Sequence, residues 1–149
     1  TRRVLAASPG YLQAQGAVAH PNDLTTRPML VYRHAHSPHE LRFERGNDIV
    51  NVPVRGLLES DDADVLRAAA LSDLGPLVLP AYILHDDLCR GALRPLLTEW
   101  RLPCLTINLA YASRRHVPAK VRCFIDFMCE VFEREGLEAR WQASAALAP

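Results

Sequence analysis

GLLESDDADVLRAAALSDLGPLVLPAYILHDDLCRGALRPLL, residues 56–97, reads as strand, capped helix, buried strand, capped short helix and strand. In its first helix Val65, Leu66, Ala69, Ala70 and Leu74 recur at helical spacing, with Asp61 as the N-cap and Gly75 as the stop. Leu77, Val78 and Leu79 form an unbroken apolar run. Such a run predicts a strand in the middle of a sheet covered on both faces. Residues 81–89 are expected to form a helix closed by Gly91, and residues 93–97 a further strand. The turn from the first strand into the helix sets Ser60, Asp61 and Asp62 beside free helix N–H groups. Open α/β sheets build small-molecule clefts at such strand ends.

The same alternation extends to either side. Residues 3–7 are a short apolar strand, followed by Ser8 as N-cap and Pro9 at the first helical position, where its missing N–H costs nothing. Gly16 stops that helix, and Asn22, Asp23 and Leu24 mark a second helical turn. Residues 29–32 and 41–44 read as strands, with Gly46, Asn47 and Asp48 as a turn. Strand character resumes over 49–58, where Pro53 indicates an edge or a bulge. Residues 105–112 read as a strand. Pro118 opens a last helix whose apolar stripe is Val117, Val121, Phe124, Ile125, Met128 and Phe132. The alanine-rich stretch 137–149 is expected to be a loosely held tail. Strands alternating with helices define an α/β fold with a mixed, mainly parallel sheet.

Composition narrows the function. Seventeen basic and seventeen acidic residues balance to zero net charge over 149 residues. A DNA-binding surface usually carries a basic excess, so these residues are not expected to touch DNA themselves. No apolar run is long enough for a bilayer, and no signal-peptide pattern opens the chain. The strand-like RRVLAAS directly after Thr1 reads as the start of a fragment from a longer protein. Cys89, Cys104, Cys123 and Cys129 make no C-x-x-C pair, which fits a reducing cytoplasm. Cys123 and Cys129 lie in an apolar helix and are expected to be small core residues. His34, His36 and His39 share a loop containing Pro38, too loosely constrained to imply a metal. There is no nucleophile elbow, phosphate loop or H-E-x-x-H motif, so no enzyme activity and no cofactor are expected.

Five stretches in order resemble the effector-binding domain of LysR-type transcriptional regulators. RRVLAASPGYL (2–12) resembles the family's crossing strand and Ser-Pro-x-Tyr-Leu helix start. HPNDLTTRPMLVYR (20–33) resembles its Pro-x-Asp-Leu turn and following strand. LRFERGNDIVNVPVRGLLESDD (41–62) and LRAAALSDLGPLVLP (66–80) match its hairpin, V-x-V-x-G run, Ala-rich helix and Leu-Pro strand end. YASRRHVPAKVRCFIDFMCEVF (111–132) resembles the return strand and terminal helix. Asp61-Asp62 stands where the family often has Asn-Asp, and a doubled acid disfavours a carboxylate effector more than Asn does.

The resemblance implies a lobe like those of type 2 periplasmic binding proteins. Residues 1–112 correspond to the second lobe with its crossing strands, 113–134 to the C-terminal helix of the first lobe, and 135–149 to a loosely ordered tail. The N-terminal helix-turn-helix and most of the first lobe lie outside the chain. It further implies a small-molecule effector bound between two lobes, DNA contact only through that N-terminal domain, and a homodimer or homotetramer with no membrane association. The alternative is a solute-binding protein of the same two-lobed fold.

The expected effector wall is Ser8, Tyr32, Arg33, His34, Ser60 and Asp61. Arg33 suits an anionic group, and His34 a hydrogen bond. The plainer reading makes Ser60 and Asp61 caps only and 32–36 a solvated loop. Arg114, Arg115 and His116 read as charges flanking a turn. Asp86 and Asp87 read as acids favoured at a helix N-terminus.

Overall fold

The computed structural model describes residues 1–111 and 118–145. Its elements run β1 (Arg3–Ala7), α1 (Pro9–Gln15), a 3-10 turn (Pro21–Thr26), β2 (Met29–Tyr32), β3 (Glu40–Arg45), β4 (Asp48–Pro53) and β5 (Gly56–Ser60). Then follow α2 (Ala63–Leu71), β6 (Leu77–Pro80), α3 (Ala81–Cys89), β7 (Arg94–Pro95), α4 (Ala119–Arg134) and α5 (Leu137–Ala145).

The principal sheet has the order β5-β2-β6-β1-β7, which puts the apolar run Leu77–Pro80 at its centre. The sheet is mixed: β5, β2 and β6 are mutually parallel, while β1 runs antiparallel to both β6 and β7. Alternation along the central strands sorts their side chains into two cores. Val4, Ala6, Leu30, Leu77 and Leu79 face α2 and α3, meeting Leu66, Ala70, Leu84 and Leu88. Leu5, Met29 and Val31 face the β3-β4 hairpin, meeting Leu41, Phe43, Val52 and Trp100. One sheet face is thus covered by helices and the other by a hairpin.

Several boundaries differ from the sequence expectation. The strand expected over 49–58 is two strands, because Val54 and Arg55 carry the chain from the hairpin to the edge of the main sheet. Asp62 caps α2 in place of Asp61: its side chain accepts from the Asp64 N–H at 2.8 Å. That helix ends at Leu71, before Gly75, through Asp73 in the left-handed region at φ 63°. Gly75 is needed instead for a close approach, since a Cβ there would sit 3.1 Å from the Pro28 carbonyl oxygen. Val65 and Leu74 are consequently exposed, and Leu66 and Ala70 alone anchor the helix as buried residues.

The strand expected at 93–97 shrinks to Arg94–Pro95, where proline cannot extend the ladder. No strand forms within 105–111; of this stretch, Leu105 pairs with Thr1 through backbone hydrogen bonds, and Leu105, Ile107, Leu109 and Tyr111 stay exposed. Within the stretch expected to be a loose tail, Leu137–Ala145 form α5, which packs on α3 through Trp141 and Tyr82, 5.6 Å between ring centroids. Alanine-rich sequence favours helix, and one tryptophan suffices as its anchor. The α4 helix buries no residue, and Cys123 and Cys129 are exposed rather than core. Asp87 is also not an N-terminal acid: it lies in the second half of α3, fully buried between two arginines. The expected Arg114, Arg115 and His116 cluster and Val117 lie outside the described residues.

Candidate effector site

Strand direction determines which side chains meet. Because β5, β2 and β6 are parallel, their C-terminal residues Ser60, Tyr32 and Pro80 emerge at one edge of the sheet. Tyr32 is directly paired with Ser60, and the Arg33 N–H donates to the Ser60 carbonyl oxygen at 2.9 Å. The antiparallel β1 brings its first residue, Arg3, to the same edge opposite Pro80. The chain beyond Leu102 returns along this edge too. The Arg3 Nε donates to the Pro103 carbonyl oxygen at 2.9 Å, and the Leu105 N–H to the Thr1 carbonyl oxygen at 2.9 Å.

At this edge lies an open cavity of about 500 Å³, whose lining includes Arg3, Tyr32, His34, Glu40, Pro80 and Cys104. Its volume falls in the range of small-molecule sites. Tyr32 and His34 meet edge to face, 6.0 Å between centroids, and present an aromatic rim. Burial pushes the Arg3 guanidinium below its ordinary pKa, only partly offset by the neighbouring Cys104. Arg42, also lining the cavity, is paired with Glu44 at 2.8 Å.

The expected site residues divide accordingly. Tyr32 and His34 line the cavity. Arg33, Ser60 and Asp61 belong to the same strand-end edge but not to that lining. The Ser60 hydroxyl accepts from the Asp62 N–H at 3.0 Å, so it acts as a turn residue before α2, and Asp61 is exposed. Ser8 does not join them. It follows the C-terminal end of β1, where Ala6 is opposite Leu77, and this is the other edge of the sheet. There it is buried and accepts from the Tyr11 N–H at 3.2 Å, while a Cβ on the next helical glycine, Gly10, would strike Asp73 at 2.5 Å. Ser8 is therefore a helix cap packed near the end of α2.

Sequence reading missed Arg3, Pro103 and Cys104. The one signal for Arg3 was a cation opening a strand whose next four residues are all buried. Its edge of the sheet depends on β1 being antiparallel, which no local pattern encodes. Among the described residues no group of three His, Cys, Asp or Glu side chains is arranged to hold a metal ion. Among them, too, no helix is long and apolar enough to cross a membrane.

This two-core lobe is that of the regulatory part of a family of transcriptional regulators. Residues 1–133 match the LysR substrate binding domain family, and the chain belongs to it. It is 33% identical over 134 residues to the HTH-type transcriptional regulator PtxR of Pseudomonas aeruginosa, covering 90% of this chain and 43% of that protein. It is 31% identical over 126 residues to an HTH-type transcriptional regulator of Xanthomonas campestris pv. campestris, covering 82% of this chain and 37% of that protein. These relatives are transcriptional regulators rather than solute-binding proteins, and the chain spans less than half of either.

Among solved structures it resembles the full-length Vibrio cholerae virulence activator AphB, a member of the LTTR protein family. The TM-score is 0.68 at 26% identity, over 85% of this chain and 43% of that one. The CrgA regulatory domain from Neisseria meningitidis shares the fold, with a TM-score of 0.72 at 24% identity over 87% of this chain and 63% of that one.

Proposed function

We propose that this chain is the ligand-sensing part of a LysR-type transcriptional regulator and that it binds a small-molecule effector at the edge formed by Tyr32, Arg33, His34, Ser60 and Asp61. The observation that carries the reading is the cavity of about 500 Å³ at the ends of the parallel strands, in a chain of this family. Residues 1–112 act as the second lobe, and the helix within 113–134 belongs to the first. The effector sits between the lobes, and its differential affinity for their open and closed arrangements shifts the hinge. That movement changes how a homodimer or homotetramer presents its DNA-binding domains. DNA contact belongs to an N-terminal helix-turn-helix outside this chain. The intact protein works in the cytoplasm and catalyses no reaction.

A thermal-shift screen of the intact regulator against aromatic acids, amino acids and sugar acids tests this. At least one compound is expected to raise the unfolding temperature of wild type, with the shift lost in Tyr32→Ala. A screen in which nothing stabilises wild type, or in which Tyr32→Ala responds as wild type does, contradicts it.

A further inference from the structure

The family match ends at residue 133, so α5 is this chain's own addition to the domain. Its anchor is Trp141, which is half-buried and packs against the core on the helix side of the sheet. The same indole meets rings from two other helices, Tyr82 of α3 at 5.6 Å and Phe132 of α4 at 5.8 Å between centroids. Aromatic pairs of this kind stabilise beyond the area they bury. Gly136, at φ 55°, turns the chain between α4 and α5, and its carbonyl oxygen accepts from the Arg140 N–H at 3.0 Å. Ser144 near the other end is buried, and its hydroxyl donates to the Trp141 carbonyl oxygen at 2.9 Å. The two helices also flank both segments that lead out of the sheet domain. Thr1 and Leu105 join those segments by reciprocal backbone hydrogen bonds of 2.7 and 2.9 Å. Beside them is a cavity of about 560 Å³, lined from the helices by Phe132, Trp141 and Gln142 and from the two segments by Arg2, Leu105 and Ile107.

Resting on the lobe assignment proposed above, we propose that α5 is a strap between the lobes. It is continuous with α4 of the first lobe and docks on α3 of the second through Trp141, so it restrains the hinge where residues 1–3 and 103–107 cross. Hinge motion is absorbed by a few backbone positions while the packed bodies stay rigid. A contact that ties both bodies together beside those positions favours the arrangement that preserves it, and breaking the contact frees the hinge. The strap acts without ligand, so it sets the resting balance between lobe arrangements.

The test is hydrogen-exchange mass spectrometry on the intact regulator without ligand, comparing wild type, Trp141→Ala, Trp141→Phe and a chain that ends at Gly136. Residues 1–4 and 104–107 are expected to exchange about tenfold faster in Trp141→Ala and in the shortened chain, the effect of losing an aromatic anchor. Trp141→Phe should restore most of that protection. Residues 77–80 at the centre of the sheet should exchange as in wild type, and α4 should stay protected because the first lobe holds it. Faster exchange confined to α3 and α5, with residues 1–4 and 104–107 unchanged, makes α5 a cover on the second lobe and overturns the proposal. That result leaves the effector-site reading untouched. Faster exchange throughout α4 groups α4 with α5, and then the strap and the lobe assignment both fall. Loss of protection at residues 77–80 in both Trp141→Ala and the shortened chain makes α5 part of the second lobe's core, and this too overturns the proposal. A folding defect in Trp141→Ala alone leaves the shortened chain to decide.

Discussion

Asp87 is fully buried, and two arginines close on its carboxylate. Arg67 from α2 binds both oxygens, donating from Nη2 to Oδ1 at 3.0 Å, and Arg90 binds Oδ1 from the end of α3. The hydrogen bond to Asp87 holds the Arg67 pKa above its ordinary value, against the opposing effect of burial. Asp87→Ala removes the buried acceptor shared by two arginines that themselves reach solvent, so it should cost about 1.5–3 kcal/mol in urea denaturation. Arg90→Ala should cost far less, because Arg90 is largely exposed and solvent screens its contribution. A loss for Asp87→Ala no larger than that for Arg90→Ala contradicts this account of the α2-α3 contact. Asp23 behaves differently. Its carboxylate accepts from the His20 and Ala19 N–H groups, both at 2.9 Å, and these bonds hold its pKa below the ordinary carboxylate range. A carboxylate whose folded pKa lies below its unfolded value stabilises fully above the unfolded value and stops doing so as pH falls through the folded one. The contribution is therefore intact at neutral pH and begins to be lost only below about pH 4. An NMR titration should place the Asp23 midpoint below that of a free aspartate side chain; a midpoint at or above it refutes the assignment.

Among elements, α2 gives the sharpest comparison of pattern with packing. Val65 and Leu66 are adjacent apolar residues and look equally suited to a core in the sequence, but Leu66 is fully buried and Val65 is 46% exposed. Leu66→Ala should cost about 2–5 kcal/mol and Val65→Ala less than about 0.5 kcal/mol, measured by chemical denaturation. Equal losses contradict the observed helix rotation. The boundaries of β1, α1, β2 and α3 were legible because each is set locally, by Ser8-Pro9, by Gly16, or by a short apolar run. The end of α2 was not, because Asp73 takes the left-handed conformation that Gly75 was expected to supply. The α4 helix was legible as an amphipathic stripe, yet that face has few partners: Phe132 meets Trp141 at 5.8 Å, while Phe124 on the stripe and Phe127 to one side of it are exposed. Exposed apolar faces of this kind drive association. The 149-residue chain should therefore self-associate with rising concentration in gel filtration, and Phe124→Ser with Phe127→Ser should reduce this without lowering the stability of the sheet. Monomeric behaviour at all concentrations in the parent chain contradicts it.

At the scale of the molecule, the fold class followed from alternation of strand and helix, and the site followed only in part. Tyr32, Arg33, His34, Ser60 and Asp61 gather because their strands are parallel, which an α/β pattern anticipates. Ser8 and Arg3 exchange places relative to expectation because β1 is antiparallel, and strand direction is a long-range property of the sheet. From family membership and this edge together we propose that the regulator senses a small molecule at the ends of β2, β5 and β6. Hydrogen-exchange mass spectrometry on the intact regulator, with and without a compound found by thermal shift, tests it most directly. Protection is predicted around residues 2–4, 32–36, 78–82 and 103–106 together, with residues 8–15 at the opposite edge unchanged. Protection confined to 8–15, or absent from all four segments while the compound is bound, would contradict the account.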